Sequence, residues 1–251
     1  MKKQDKILNL ILPLITVVCM LLLWSVGAIV ADNKYILPSV LQTLNELFGL
    51  FASSKFYLAL AFTFIRSVIA FSLSFLVSAI LAYLSSRVKF AEKIILPIIS
   101  VVRALPTLAI ILLLLFWTNN QVAPVVVTML VVMPTSYTSI KNAIDGVDKT
   151  SVDAAKVDGA DKKHLFFLIE LPQVAPSLLN VVGGGLSLNL KLMVAAEVMS
   201  ATAKSLGTML NVSSYNAEIA NMLALVLIVL IVGLIIEFSF NKLSQKSGSW
   251  R

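Results

Sequence analysis

Asp153–Pro172, DAAKVDGADKKHLFFLIELP, is the one long polar and charged stretch in a chain otherwise made of apolar runs, and it lies between two of them. Its residues predict two short helices around a hinge. Thr150 is placed to cap the first, Asp153 is placed to close a capping box, and the acidic residues of the first turn suit the positive end of a helix. Gly159 supplies backbone freedom where that helix stops. Asp161 is placed to cap a second helix, KKHLFFLIEL, in which Leu165, Phe166 and Ile169 share a face by three-and-four spacing. Pro172 is expected to end it. A polar segment with this much local order and an apolar stripe suits docking on a partner better than passive connection.

The 251 residues are 59% hydrophobic and 13% charged, and the mean hydropathy of +0.94 lies outside the usual balance of a soluble domain. Several apolar runs reach membrane-spanning length, so the expected class is an all-α polytopic membrane protein. No polar tract is large enough for a second domain, which makes 1–251 a single membrane domain with a polar loop over 141–172. The net charge of +7 does not point to nucleic acid, because the basic residues sit in short loops beside apolar spans. Cys19 is the only cysteine and His164 the only histidine, so no disulfide within the chain and no zinc cluster is expected. Cys19 reads as an apolar filler of the first span.

Taken in order, Lys2, Lys3 and Lys6 precede a run from Ile7 to about Val30, too long for a signal peptide and without a small-residue cleavage site. A loop follows in which VLQTLNELFGLFA suggests a short interfacial helix. The second span covers roughly Leu58 to Leu84 and carries Arg66. The third run, Ile94 to Trp117, is interrupted by Pro97, Arg103 and Pro106, as one kinked crossing or as a surface helix ending near Arg103 with the crossing after it. The surface helix, or an arginine that faces protein, is favoured because an exposed arginine roughly 13 Å deep is costly.

Thr118 to Gln121 is a minimal turn, and Val122 to about Ser139 returns, with Pro134 expected to bend or unwind its far end. The fifth span, Val174 to Met199, contains Gly183-Gly184-Gly185, which either packs closely or breaks the helix, and also Asn189, Lys191 and Glu197. Glu218 to about Phe240 is the last span, and Lys242, Lys246 and Arg251 form a basic tail. Six spans with both ends cytoplasmic place 14 of the 20 Lys and Arg residues inside and 3 outside, as the positive-inside rule requires.

The pattern Asp153-Ala154-Ala155, three residues, Gly159, nine residues, Ile169, one residue, Leu171-Pro172 resembles the EAA signature of the transmembrane permease subunits of ABC importers. Asp153 stands where the family usually has Glu, keeping the charge and shortening the reach. The resemblance runs from about Arg66 to the C-terminus and is nearest to the nitrate, sulfonate and taurine group, whose proline-containing segment RALPTLA resembles, while VAAEVMSA and SLGTML resemble segments of the family at large. It implies the type I importer permease fold in a bacterial cell membrane. It also implies a coupling surface made by Asp153, Ala154, Ala155, Gly159, Phe166, Ile169, Glu170, Leu171 and Pro172 that sits in a groove of a cytoplasmic ABC ATPase dimer. A second permease copy, most simply an identical one, and an external substrate-binding protein complete the implied assembly. ATP and Mg are used by the ATPase partner, no cofactor is bound by this chain, and transport proceeds by alternating access.

The residues themselves agree with an energy source outside the chain: there is no Gly-Lys pair, hence no GxxxxGK[ST] phosphate loop. No nucleophile and base stand together, so no enzyme activity is expected. Arg66, Asn189, Lys191 and Glu197 are the candidate residues of a translocation path. Positive groups there suit an anionic solute but serve equally to hold helices together. Glu197 reads either as a structural carboxylate, paired to Lys191 or at the interface, or as a path residue. A direct Lys191 pair is awkward at an offset of six, so another partner or an unwound segment is required. Glu170 reads as a solvated carboxylate or as one facing the ATPase, His164 as a surface or docking residue, and Glu237 as interfacial.

Nitrate, sulfonates such as taurine and pyrimidine precursors of thiamine remain open as substrates. A secondary transporter or channel without an ATPase, and a membrane-embedded assembly subunit, are the rival classes.

Overall fold

In the computed structural model, residues 3–248 are described; Lys2 and Arg251 of the basic ends lie outside them. Among the described residues the regular structure is entirely helical: α1 (Lys3–Ala31), α2 (Val40–Phe51), α3 (Ser54–Arg87), α4 (Lys89–Ala104), α5 (Thr107–Trp117), α6 (Ala123–Asp145), α7 (Lys149–Val157), α8 (Lys162–His164), α9 (Leu171–Ser200), α10 (Leu206–Tyr215) and α11 (Ile219–Gly248). Five stretches are long and apolar enough to cross a membrane, and the α4–α5 pair makes a sixth if the bent pair is one span. The polytopic all-helical expectation therefore holds.

The contacts group the chain into two units, 3–57 with Met209–Ile228, and Leu58–Thr208 with 229–248. In the first, the expected interfacial helix is α2, opened by a capping box in which Ser39 and Gln42 bond each other's backbone N–H groups. The Trp24 indole donates to the Pro38 carbonyl at 3.0 Å, which fixes the turn between α1 and α2. Cys19 is exposed on α1.

In the second unit α6 and α9 pack along each other, and α3 meets both through Phe71. Tyr137 is buried among Ala82, Ile95, Ile99 and Ile140, and its hydroxyl bonds Ser85 at 2.9 Å. Phe71, Val132 and Leu186 fill the middle. Ile111, Leu114, Val127 and Ala196 fill the far end.

The third run breaks where the favoured alternative places it: α4 and α5 meet at 92°. Leu105 is the residue before Pro106, which is held out of the helical region, and its ψ of 130° ends α4. Arg103 faces protein, donating to the Thr138 hydroxyl at 2.8 Å and to the Pro134 carbonyl at 3.4 Å.

Two open alternatives are decided and one local expectation is corrected. Pro134 does not unwind α6, which continues to Asp145; Thr138 bonds the Pro134 carbonyl at 2.8 Å and reinforces that turn. Pro172 does not end the second loop helix. It stands in the first turn of α9, directly after a π-helical turn at Leu165–Glu170 in which the Leu171 N–H reaches back to the Phe166 carbonyl. The wider turn gives the ring space that an α turn denies it, so the loop helix and α9 run on as one. Finally, the three glycines do not break α9. A Cβ on Gly183 would lie 2.6 Å from Phe240 Cβ, and one on Gly185 2.6 Å from the Phe71 ring, so close packing is the use of these two.

Candidate functional site

The polar loop begins with a cap different from the expected one. Asp148, not Thr150, is the N-cap of α7, accepting from the Thr150 and Ser151 N–H groups at 3.0 and 3.2 Å. The Ser151 and Thr150 side chains, with those backbone bonds, hold its carboxyl down at about 2. Asp153 is inside the helix and pairs with Lys156 at 2.8 Å on the exposed side.

At the other end of α7 the Gly159 N–H bonds the Lys156 carbonyl at 3.1 Å, and the Ala160 N–H bonds the Ala155 carbonyl at 3.0 Å. These are the two bonds of a Schellman cap, and Gly159 carries the left-handed φ of +83° that the cap needs. The spacing from Ala155 to Gly159 is thus a helix ending written in sequence.

Asp161 caps the next turn through the His164 N–H at 2.8 Å, as expected, and also meets the His164 ring Nδ1 at 2.6 Å. The His164 backbone, then its ring, hold the Asp161 carboxyl below the usual range. Leu165 is buried, Phe166 and Ile169 half-buried, and Phe167 and Leu168 are exposed at 60% and 67%. The inward stripe is therefore the expected one, while the two outward apolar residues were not singled out from sequence. Ala154 and Leu171 are exposed and Ala155 and Pro172 half-buried.

Glu170 is not simply solvated: it forms an ion pair with Arg87 at the end of α3. The Phe166 ring meets Tyr83 edge-on at 6.2 Å, tying the loop to the same helix. Behind these contacts lies a cavity of about 700 Å³ lined by Tyr83, Arg87, Asp145, Lys156 and Phe166.

The second polar cluster lies where α9 ends. Glu197 is fully buried and Arg66 donates to its Oε1 at 3.0 Å; the Thr63 hydroxyl and the Gly207 N–H donate to Oε2 at 2.8 and 3.4 Å. Thr63 in turn accepts from the Leu206 N–H at 3.0 Å. Arg66 also reaches Gln121 at 2.6 Å and the Ala203 carbonyl at 3.1 Å. Gly207 seats the loop on this carboxylate: any Cβ there would lie 2.4 Å from Glu197 Cβ. The required other partner of Glu197 is thus Arg66, not Lys191.

Asn189 is also buried and donates to the Ser67 carbonyl at 2.7 Å and to its hydroxyl at 3.1 Å, joining α9 to α3. Of the four path candidates the structure brings Arg66 and Glu197 together, places Asn189 between helices, and leaves Lys191 exposed. Thr63, Ser67, Gln121 and Gly207 are added to them. Of these only Gly207 carried a sequence signal, within SLGTML. A groove of about 310 Å³ opens beside Gly184 between α6 and α9, lined by Thr135, Ser136, Ser139 and Asn180.

Residues 74–248 match the model of a family described as binding-protein-dependent transport system inner membrane component. The taurine transport system permease protein TauC of Escherichia coli is 22% identical over 233 residues, 90% of this chain and 84% of that protein. The formylaminopyrimidine transport permease protein ThiX of Halalkalibacterium halodurans is 24% identical over 171 residues, 66% of this chain and 67% of that one. Among solved structures, an inward facing form of the MetNI methionine ABC transporter superposes with a TM-score of 0.59 at 18% identity, covering 76% of this chain and 93% of that chain. That likeness is one of fold, and it agrees with the importer-permease architecture.

Proposed function

The chain belongs to the family of binding-protein-dependent transport system inner membrane components, and from that membership we propose that it is the permease subunit of an ATP-driven importer for a small solute of the nitrate, sulfonate or taurine kind. The observation that carries this reading is the continuity of the Asp161-capped helix through the π-helical turn into α9. A force applied at Phe167 and Leu168 reaches the helix that bears Asn189, Lys191 and Glu197 without crossing a flexible joint. The Arg87–Glu170 pair carries the same displacement into α3.

In this reading the whole chain is one permease domain in a bacterial cell membrane, with both ends and the 141–172 loop cytoplasmic. Asp153, Ala154, Ala155 and Gly159 shape the docking helix. Phe167 and Leu168 are added to Phe166, Ile169, Glu170, Leu171 and Pro172 as the surface facing a cytoplasmic ABC ATPase dimer. The chain itself is not an enzyme, and ATP and Mg act in that partner. A second copy of the chain and an external substrate-binding protein complete the transporter. Arg66 and Glu197 brace the outer end of the path, Asn189 holds its wall, and Lys191 faces it. The sulfonate side of the substrate assignment leans on the similarity to TauC.

The test uses a Cys19→Ser chain carrying one new cysteine at Leu168. A short thiol crosslinker is expected to capture a nucleotide-hydrolysing subunit from the membrane, and the captured complex to hydrolyse ATP. Failure to capture any such subunit, together with uptake driven by an ion gradient instead of ATP, would end the importer reading.

A further inference from the structure

Three cations lie in the apolar runs, and the structure accounts for two. Arg66 is held by Glu197, Gln121 and Ala203, and Arg103 by Thr138 and Pro134. Among the described residues Lys191 has neither a hydrogen bond nor a carboxylate within ion-pair reach. Glu237, one turn along α11 from Gly233, makes no ion pair with it.

Lys191 is nine residues from the Ser200 end of α9, roughly 13 Å along the axis and close to mid-depth of a hydrocarbon core. An ammonium left against lipid there is costly, and such groups turn toward protein or water-filled cavities. Leu188, Lys191, Ala195 and Met199 form one exposed stripe at helical spacing.

The stem of Lys191 crosses α11 at Gly233. Its Cε lies 3.4 Å from the point a Gly233 Cβ would occupy, and the Ser187 Oγ lies 3.0 Å from the same point. Ser187 is 1% exposed and its hydroxyl has no partner among the described residues. An ammonium stem and an unused hydroxyl therefore meet over the bare backbone of one glycine, with no negative group opposing them.

We propose that Lys191 sets the charge selectivity of the path and passes the oxyanion head of the solute, whether sulfonate, nitrate or carboxylate. This rests on the importer-permease reading and deepens it, naming the residue that discriminates. The other intramembrane cations are spent on structure. An ammonium with three rotatable donors and no fixed partner binds an oxyanion loosely enough to release it.

The experiment reads the local field directly on the full chain in its membrane. In a Cys19→Ser background, Ala195→Cys places a thiol one turn from Lys191 on the same stripe. Its reaction rates are compared for a sulfonate-bearing and a trimethylammonium-bearing methanethiosulfonate reagent, with Lys191 intact and as Lys191→Gln or Lys191→Arg. The anionic reagent is expected to be favoured with Lys191 or Arg present, and Lys191→Gln to lower the anionic-to-cationic rate ratio by about tenfold. A thiol unreactive to both reagents, or a ratio unchanged by Lys191→Gln, overturns the proposal. The ratio does not depend on an ATPase being attached. Loss of the importer reading, seen as a chain that captures no ATPase at Leu168, is therefore distinguishable from loss of this one.

Discussion

Arg66 and Glu197, 131 residues apart in the chain, are joined at 3.0 Å with the carboxylate fully buried. The pair closes α3 onto the end of α9, and through Thr63 and Gly207 it anchors the turn into α10. Removing one member of a buried pair leaves the other charge uncompensated, which costs about 3–5 kcal/mol. Glu197→Leu is therefore expected to lower the thermal unfolding midpoint of the purified chain strongly. The double change Arg66→Met with Glu197→Leu should lower it less than the sum of the two single changes. Strict additivity would show that the pair is not coupled.

The glycine triplet makes a contrast that a single helix can test. Gly183 and Gly185 each meet a ring-bearing residue at 2.6 Å from the built Cβ, whereas nothing lies within 4 Å of Gly184. Gly183→Ala presses on Phe240 Cβ, which is anchored to backbone and cannot swing aside, and overpacking of this kind costs about 1–3 kcal/mol. Gly184→Ala is expected to be neutral or mildly stabilising through helix propensity. Thermal midpoints in detergent check both, and equal loss at the two positions would contradict the packing.

Asp148 gives the loop a defined acid limit. Its carboxyl, at about 2 when folded against an ordinary value of 3.8, contributes stability that is fully present above the unfolded value and is lost as the pH falls through the folded one. Amide exchange at Thr150 and Ser151 should therefore stay slow from neutral pH down to about 4 and accelerate relative to the intrinsic rate toward 2. Asp148→Asn should remove that acid dependence, and an unchanged profile would take the cap away from Asp148.

The Arg87–Glu170 pair is expected to matter for coupling more than for folding, because Arg87 is partly exposed and exposed pairs stabilise little. Glu170→Arg should uncouple ATP hydrolysis from uptake in the assembled transporter, and adding Arg87→Glu should restore part of the coupling by re-forming the pair in reverse. Equal uptake per ATP in single and double variants would remove this link from the force path.

How much of this was legible in the sequence follows from the range of the interactions. Helix ends set by local chemistry were readable: Gly159 and Asp161 carry their roles in their own types, and Leu105-Pro106 breaks the third run by steric exclusion alone. The cap at Asp148 was missed by two residues because Thr150 and Asp148 are both good caps, and their backbone conformation decides between them. Pro172 was misread because a proline in a first turn is compatible with helix, and the π-helical turn that admits it leaves no composition signature. The partners of Glu197 and Glu170 lie 131 and 83 residues away. One chain without its packing contains the charges but not their pairing. The spacing argument disfavoured Lys191 as the direct partner of Glu197 in a regular helix without naming Arg66.

Gly159 joins the local reading to the functional one. The space around it is open, since nothing lies within 4 Å of a Cβ placed there, but its φ of +83° is one that glycine adopts freely and other residues do not. A substitution there fails through conformation and not through collision. Left-handed backbone costs an ordinary L-residue about 1–2 kcal/mol, more for a β-branched one, while Asn tolerates it. Gly159→Val is therefore expected to fray the end of α7, weaken ATPase retention and lower uptake severalfold while membrane insertion stays intact. Gly159→Asn should keep most of both, because it preserves the Schellman bonds to Ala155 and Lys156. Copurification of the ATPase with each variant, measured beside the amount of chain in the membrane, separates the outcomes. Val and Asn behaving alike would show that the left-handed turn is not what the docking surface depends on.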